Sequence, residues 1–317
     1  MIVTLTANPS LDRTVDLAAA LAPGAVQLAT GIREDAGGKG VNVSRVVAAA
    51  GLPTLAIVPV SDDDPYRALL DATGIPVRTV PAAGHARENL TITDPEGVTT
   101  KLNLAGARAT HDVVAATLRT LVDVAEGASW VVLAGSLPPG FPESFYADAI
   151  IAVRSRWKSA APRIAVDASG PALRAALRDA RPDLIKPNES ELAELVGGEV
   201  DPADPRSSAL AQARTLVPDA AAAALVTLGG DGALLLTAEG AVSARPPRIR
   251  VASTVGAGDS SLAGYLIADV NGADAAARLS RSVAYGAAAA SLPGTQAPRP
   301  DDLPAGTIAV ASVLIPS

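Results

Sequence analysis

Cysteine is absent from this 317-residue sequence, and histidine occurs only twice, at His85 and His111. The absence of cysteine excludes disulfide bonds, thiolate nucleophiles and cysteine-ligated zinc. Two histidines also argue against a histidine-rich metal centre and against a Ser-His-Asp triad. Any chemistry must therefore come from carboxylates, lysine, arginine, hydroxyl groups and backbone amides.

Long apolar runs and basic runs are missing as well. No apolar stretch reaches the roughly 18 residues that a membrane-spanning helix needs, so no contact with a membrane is expected. The chain opens on the apolar strand pattern of residues 2–5 instead of the basic start of a signal peptide, which predicts a cytoplasmic protein. A net charge of −7 and an aromatic content of 3% argue against nucleic acid as a partner.

What the sequence does contain is an alternation of strand and helix patterns. From about residue 111 onward, short apolar strands alternate with helical patterns, which is typical of an α/β fold with a parallel sheet. Residues 10–36 and 86–104 interrupt this order, and the second segment has the pattern of a β-hairpin. Together they predict a small β-rich lid over one edge of the sheet. A further strand is predicted near residues 249–252.

Residues 253–261 (STVGAGDSS) form the motif around which the rest is organised. Two glycines and one carboxylate, Asp259, precede an apolar pattern of helical period. Amides at a helix start have no partner within the helix and lie at the positive end of its dipole, so they can bind an anion. Taken alone, the motif fits a capped glycine-rich loop equally well.

Two further motifs lie in the first part of the chain. Residues 8–12 (NPSLD) follow a strand and place Asp12 near its carboxyl end, where open parallel sheets bind ligands, although an Asx turn fits the same pattern. Residues 37–42 (GGKGVN) lead into a helix, so a ligand could approach the backbone beside Lys39 and Asn42. Because Gly40 follows the lysine, this is not a Walker A loop, and a plain glycine-rich helix entry is the alternative.

Two motifs in the second half also follow strands. In residues 186–191 (KPNESE), Asn188 and Glu191 have the spacing of a capping box, which is the favoured local interpretation. The same pair could hold a hydrated Mg²⁺ ion. Residues 229–233 (GGDGA) offer bare backbone against which a nucleotide could lie, although one glycine cluster is weak evidence.

In combination, these motifs resemble the ribokinase-like (PfkB) family of sugar kinases over nearly the whole chain. Four blocks carry the resemblance in the family's order, at residues 6–12, 37–42, 186–191 and 254–260. The resemblance implies a single kinase domain over residues 1–317. It further implies a three-layer α/β/α sandwich with a mostly parallel central sheet, and a small β lid formed by residues 10–36 and 86–104.

The resemblance also implies the catalytic roles. Asp259 corresponds to the base that takes the proton from the acceptor hydroxyl. The amides of Gly256, Ala257 and Gly258 then face the charge that develops on the transferred phosphoryl group. A monovalent cation near these amides assists many members of the family, and the sequence alone does not identify its site.

The nucleotide site follows from the same resemblance. ATP is the implied phosphoryl donor, and Mg²⁺ is organised by Asn188 and Glu191 through water. The residues implied to contact ATP are Lys186, Asn188, Thr227, Gly229 and Gly232.

The acceptor site is implied in two parts. Asp12, Gly38, Lys39 and Asn42 match positions that bind the sugar throughout the family, so they do not discriminate between acceptors. A second set resembles the branch that acts on phosphorylated ketohexoses, where the acceptor's own phosphate must be neutralised. This set consists of Arg87, Lys101 and Ser136, and solvated hairpin charges are the alternative for the first two.

The implied function is ATP-dependent phosphorylation of D-fructose 1-phosphate at O6. Tagatose-6-phosphate kinase and 6-phosphofructokinase activity are the alternatives within the family, and a catalytically silent sugar-phosphate sensor is an alternative of another class. A dinucleotide-binding oxidoreductase is excluded, because no G-x-G-x-x-G motif follows an early strand with an acid about 20 residues later. A homodimer formed through the lid is a further expectation.

Overall fold

Apolar runs of about five residues form most of the strands in the computed structural model, which describes residues 1–313. The strands of this region are β1 Ile2–Thr6, β2 Ser10–Leu17, β3 Ala29–Gly37, β4 Thr54–Val60, β5 Val77–Pro81, β6 Arg87–Thr93, β7 Thr99–Asn103, β8 Trp130–Ala134, β9 Arg163–Asp167, β10 Leu184–Ile185, β11 Ala223–Thr227, β12 Ala233–Thr237, β13 Gly240–Ala244 and β14 Val310–Val313.

Helices connect most of these strands. They are α1 Lys39–Ala49, α2 Pro65–Ala72, α3 His111–Val124, α4 Phe145–Trp157, α5 Gly170–Ala180, α6 Glu189–Val196, α7 Pro205–Ala213, α8 Ala257–Val270 and α9 Ala275–Ser291. No helix in the described part of the chain is both long and apolar enough to cross a membrane.

Ten strands form the central sheet, in the order β14-β13-β12-β11-β10-β9-β8-β1-β4-β5. The ladders from β5 to β11 are parallel, and those from β11 to β14 are antiparallel. The mostly parallel sheet predicted from the sequence is therefore confirmed. Its parallel strands all end at one edge, which is where the sequence motifs lie.

Both faces of the central sheet are covered. Along β1, Val3 and Leu5 pack into a core with α3, α4, α5 and α7, whereas Ile2 packs into a second core with α1, α8 and α9. Side chains of a strand alternate between faces, so burial on both faces requires the continuous apolar runs seen here. The three-layer α/β/α architecture is thus confirmed.

A separate four-stranded sheet, in the order β3-β2-β6-β7, forms the lid. It consists of two antiparallel pairs that are joined by the parallel pairing of β2 with β6. Register places Asp12 opposite Asn89, and Arg13 opposite Leu90. The face with Asp12 and Asn89 is polar, and the other face carries apolar side chains such as Leu90 together with the ion pairs of Arg13.

The prediction of a strand near residues 249–252 is wrong. Residues 245–252 form no ladder, and Pro246 and Pro247 lack the amide donors that a ladder needs. The next position in the sheet after β11 is taken instead by the hairpin of β12 and β13, which the sequence motifs did not indicate.

Candidate active site

A cavity of about 900 Å³ runs along the carboxyl ends of the parallel strands, between the central sheet and the lid. Every residue predicted for the site lines this cavity, except Lys101 and Ser136. The lid contributes Asp12 and Arg87, the start of α1 contributes Lys39, and the start of α8 contributes Asp259. The topology therefore brings motifs that are up to 247 positions apart in the chain (from 12 to 259) into one space.

Asp259 lies in the first turn of α8 and is only 7% exposed. The helix begins at Ala257 after Gly256, whose φ of 76° is readily adopted by glycine. The first bond from an α8 amide to a carbonyl four residues earlier is that from Ser260 to Gly256, at 2.9 Å. The amides of Gly258 and Asp259 precede it and have no helical partner, so they are available to an anion.

The electrostatic setting of Asp259 suits a general base. Burial raises the pKa of Asp259 to about 6, and the nearby Asp167 carboxylate acts in the same direction. Lys39, Lys186 and a hydrogen bond from Asn42 Nδ2 to Asp259 Oδ2, at 2.8 Å, oppose this rise. A carboxylate with a pKa near 6 is a stronger base than an exposed one and remains ionised at neutral pH.

Asp167 is the buried anion between the two lysines of the site. It is fully buried at the end of β9, 2.7 Å from Lys39 Nζ and 3.3 Å from Lys186 Nζ. Burial by itself would raise the pKa of Asp167, but the two ammonium groups hold it below its usual value. Lys186 also lies against the start of α8, because a Cβ atom at Gly258 would be 3.3 Å from its Nζ.

The carboxylates of the site in turn shift the pKa of Lys39. Burial acts to lower its pKa, but Asp167, Asp259 and Glu191 raise the pKa of this ammonium above its usual value. Three carboxylates from three different elements thus converge on one lysine. Lys39 remains a cation at physiological pH and stands where negative charge accumulates during phosphoryl transfer.

The lid side of the cavity is polar and partly preassembled. Asp12 accepts hydrogen bonds from Ser10 Oγ and Asn89 Nδ2, both at 2.8 Å. Burial raises the pKa of Asp12, and these bonds and the Arg87 charge oppose that effect. The Arg87 Nε atom is buried and has no hydrogen-bond partner among the described residues, and burial lowers the pKa of its guanidinium. A buried guanidinium N–H without a partner favours an anionic ligand at this position.

Lys101 and Ser136 are not brought to the cavity. Lys101 is exposed on β7 opposite Thr91, so it shares a lid face with Asn89 but lies farther from the base of the lid. Ser136 follows β8, and its hydroxyl accepts a hydrogen bond from Asn8 Nδ2 at 3.1 Å. The lining of the cavity does not include either residue, so their contact with a bound acceptor remains a prediction.

The other end of the cavity is lined by backbone. Gly229 and Gly230 leave open space where side chains would stand, and Gly232 packs so closely that a Cβ would overlap the Ala244 carbonyl. Apolar residues from the 246–251 loop and from α9 complete this end. Such a surface suits the flat base and the phosphates of a nucleotide.

The capping box predicted at Asn188 and Glu191 is confirmed. Asn188 Oδ1 accepts from the Glu191 amide at 2.8 Å, and Glu191 Oε2 accepts from the Asn188 amide at 2.9 Å. This leaves one Glu191 carboxylate oxygen beside the cavity. The described residues contain no cluster of three or more acidic or histidine ligands. One carboxylate fits a Mg²⁺ ion that is held mainly by phosphates and water, which is how proteins commonly bind this ion.

The sequence motifs do not indicate several residues of the site or its lining. Asp167 ends an apolar strand, and its position there was the available signal. Asn89 donates to Asp12, and only the register of β2 and β6 places it there, whereas Ser10 lies two residues before Asp12 on the same strand. The 246–251 loop also lines the cavity, although the sequence pattern predicts a strand over part of it.

The chain is similar to known carbohydrate kinases over nearly its whole length. The model of the family described as pfkB family carbohydrate kinase matches residues 5–302. A 1-phosphofructokinase of Rhodobacter capsulatus is 36% identical over 310 residues, which cover 96% of this chain and 95% of that protein. The ATP-dependent 6-phosphofructokinase isozyme 2 of Escherichia coli K12 is 32% identical over 305 residues, with 95% of this chain and 96% of that protein covered.

Solved structures give the same grouping. The crystal structure of phosphofructokinase-2 from Escherichia coli in complex with potassium superposes with a TM-score of 0.85 at 32% sequence identity. The superposition covers 95% of this chain and 96% of that one. The similarity therefore extends over both the central sheet and the lid.

Proposed function

Because the chain belongs to the pfkB family of carbohydrate kinases, we propose that it transfers the γ-phosphoryl group of ATP to O6 of D-fructose 1-phosphate, giving fructose 1,6-bisphosphate and ADP. The observation that carries this proposal is Asp259, a buried carboxylate at a helix start, between a polar end and a glycine-lined end of one cavity. A cytoplasmic location, where ATP is made available, is part of the proposal.

Proton transfer in this proposal runs through Asp259. Its carboxylate accepts the proton of the O6 hydroxyl while O6 forms a bond to the γ-phosphorus and the bond from that phosphorus to the bridging oxygen of ADP breaks. A positioned general base contributes about 10²- to 10⁴-fold in rate. The free amides at the start of α8 stabilise the charge that develops on the phosphoryl oxygens.

Charge on the phosphates is met by two lysines. Lys39 and Lys186 both form ion pairs with Asp167, so their ammonium groups are already in position before the substrates bind. Preorganised charge of this kind avoids a reorganisation cost at the moment of reaction. Mg²⁺, held beside Glu191 and Asn188, would neutralise further phosphate charge when bound.

The preference for a phosphorylated sugar is supported by Arg87. Arg87 lines the polar end of the cavity, and its buried Nε atom has no hydrogen-bond partner among the described residues. A phosphate could accept two hydrogen bonds from this guanidinium group in a bidentate arrangement. Lys101 and Ser136 would join this contact if the lid closes further over the acceptor.

A second acceptor within the family also has support. The similarity to an ATP-dependent 6-phosphofructokinase at 32% identity favours fructose 6-phosphate as the alternative, and tagatose 6-phosphate is a related one. These acceptors place their phosphate at a different carbon, so the same Arg87 contact would present a different hydroxyl to Asp259.

The test of the proposed function is a panel of acceptors assayed with Mg-ATP under identical conditions. We expect kcat/KM to be highest for fructose 1-phosphate, lower for fructose 6-phosphate and tagatose 6-phosphate, and lowest for fructose. A preference for unphosphorylated fructose would contradict the role of Arg87. ATP and acceptor binding without turnover of any sugar phosphate would instead favour a sensor.

A monovalent cation is a further cofactor that we propose, since potassium is bound in the similar Escherichia coli protein. Thr295 Oγ1 is buried without a hydrogen-bond partner in the described region and lines a small cavity together with Gly256, at the start of α8. Activity in potassium chloride is expected to exceed activity in tetramethylammonium chloride at equal ionic strength. Equal rates in the two salts would contradict this role.

A homodimer through the lid is also proposed. On the lid face away from the cavity, Ile32 is 66% and Leu102 is 53% exposed, and register groups them with Val15 and Leu90. Exposed apolar side chains on one sheet face, here beside the ion pair of Arg13 and Glu34, are typical of an interface. Sedimentation should give the mass of a dimer for the wild type and a shift toward monomer for Ile32→Lys. A monomeric wild type would contradict the proposal.

A further inference from the structure

Two side chains at the start of α2 form hydrogen bonds to backbone segments that adjoin the lid. Tyr66 is fully buried, and its hydroxyl donates to the Gly37 carbonyl at 2.9 Å. Asp64 caps the same helix by accepting from the Tyr66 amide at 2.9 Å, and its second oxygen accepts from the Ala86 amide at 2.6 Å.

Both hydrogen bonds reach segments that adjoin residues of the acceptor end, which is the polar end of the cavity with Asp12, Lys39 and Arg87. Gly37 is the last residue of β3 and precedes Gly38 and Lys39, whereas Ala86 precedes Arg87, the first residue of β6. The helix itself supplies none of the residues that line the main cavity in the described part of the chain. Its contacts therefore act on the site only through these two backbone segments.

We propose that Tyr66 and Asp64 are positioning residues for the acceptor end of the cavity, setting the distance between the Gly38–Lys39 segment and Arg87. This proposal rests on the proposed function only for the identity of the acceptor. The geometry on which it stands is that of the protein without substrate.

The Tyr66 hydroxyl has a fixed position because its ring is enclosed. Tyr66 belongs to a buried apolar cluster with Leu11, Val41 and Val58, which come from the lid, α1 and β4. Burial raises the pKa of Tyr66 above its usual value, so the hydroxyl stays protonated and remains a donor. The bond orients the peptide between Gly37 and Gly38, and Gly38 is one of the residues that line the cavity.

The Gly37 backbone in turn lies against Asp12. A Cβ atom at Gly37 would overlap the Asp12 carboxylate, so the two groups are in direct contact. A shift of the Gly37 peptide would therefore displace Asp12 as well as Gly38. One hydroxyl on α2 thus influences groups from the lid and from the start of α1, although it touches no substrate.

The test uses Tyr66→Phe, which removes one oxygen and keeps the packing of the ring. We expect KM for the acceptor to rise about 3- to 10-fold, the loss of one buried hydrogen bond, with KM for ATP within about twofold of wild type. Tyr285→Phe is the matched control, because it removes another buried hydroxyl from α9, away from the lid.

Asp64→Asn tests the second contact, which is the hydrogen bond from the Ala86 amide to Asp64. Asparagine still caps α2 but has one acceptor oxygen in place of two, so the bond to Ala86 or to Tyr66 is lost. Hydrogen exchange of the protein without substrates should become faster at residues 36–39 in Tyr66→Phe and at residues 85–88 in Asp64→Asn, with α8 and α9 unchanged.

The outcomes separate this proposal from the proposed function. Unchanged exchange and unchanged acceptor KM in both variants would overturn the positioning role, as would an equal rise in the KM of ATP and acceptor. If wild type prefers another acceptor, the proposed function fails, but the exchange experiment still decides the role of Tyr66 and Asp64, and the KM comparison is then made with that acceptor.

Discussion

Replacement of Asp259 by asparagine is the most direct test of the proposed chemistry. The amide has nearly the shape of the carboxylate, so an oxygen remains to accept the bond that Asn42 Nδ2 now donates at 2.8 Å. The free amides at the start of α8 belong to the backbone and are unaffected. Asp259→Asn should therefore bind ATP and acceptor normally and lose only the proton acceptor.

The expected loss in turnover follows from the role of a general base. Such a base contributes about 10²- to 10⁴-fold, so kcat for Asp259→Asn should fall by at least about 100-fold. Coupled measurement of ADP release gives kcat, and calorimetric titration with each substrate gives binding. A kcat within tenfold of wild type would refute the assignment of Asp259 as the base.

The same variant should be more stable than wild type near neutral pH. The pKa of Asp259 is raised from 3.8 to about 6 in the folded protein, so above pH 6 folding must keep an ionised carboxylate in a site that disfavours it. This difference corresponds to roughly 3 kcal/mol of destabilisation that is complete above pH 6 and absent below about pH 4. Thermal unfolding at pH 7.5 should show a higher Tm for Asp259→Asn. A lower Tm would contradict the electrostatic description of the site.

Three other predictions follow from the site. The wild-type kcat/KM should rise with pH through about 6 and level off above it, because Asp259 must be ionised to accept a proton; a profile that is flat between pH 5 and 8 would contradict this. Arg87→Gln should raise KM for fructose 1-phosphate by about tenfold or more and leave KM for fructose unchanged, with the exposed Lys101→Gln as the milder comparison; equal effects of both changes on both sugars would count against a phosphate contact. Asp167→Asn should lower the free energy of unfolding by about 3–5 kcal/mol, because the buried Lys186 ammonium loses its partner anion, which it shares with the partly exposed Lys39. A denaturant titration within about 1 kcal/mol of wild type would be inconsistent with that arrangement.

The architecture was largely predictable because its signals are local. A parallel strand buried on both faces needs a continuous apolar run, and β1 and β8 have one. The start of α8 was predictable for the same reason, since Gly256 and Asp259 act within one turn. The lid followed from two segments that break the alternation of strands and helices.

The electrostatic centre of the site was less predictable because it depends on contacts between distant parts of the chain. Asp167 meets Lys39 across 128 positions, and nothing near Asp167 in the sequence indicates that partner. Lys101 shows a different limit of sequence patterns. The alternation of side chains along β7 places Lys101 on the cavity-facing side of the lid, but it does not indicate how far along β7 the cavity extends. Residues 249–252 fit a strand locally, but the position beside β11 is taken by the hairpin of β12 and β13, an outcome that local signals do not decide.

The pairing of both lysines with Asp167 has a consequence for the charge of the site during the reaction cycle. With Asp259 ionised, Lys39 and Lys186 balance Asp167 and Asp259, so these four groups together carry no net charge before substrates arrive, and Glu191 adds a negative charge beside Lys39. Once Asp259 has taken the acceptor's proton, the four groups carry one net positive charge beside the newly formed phosphate ester. Release of the bisphosphate then becomes easier when that proton departs to solvent, which links the turnover of the enzyme to the reopening of a path between Asp259 and water.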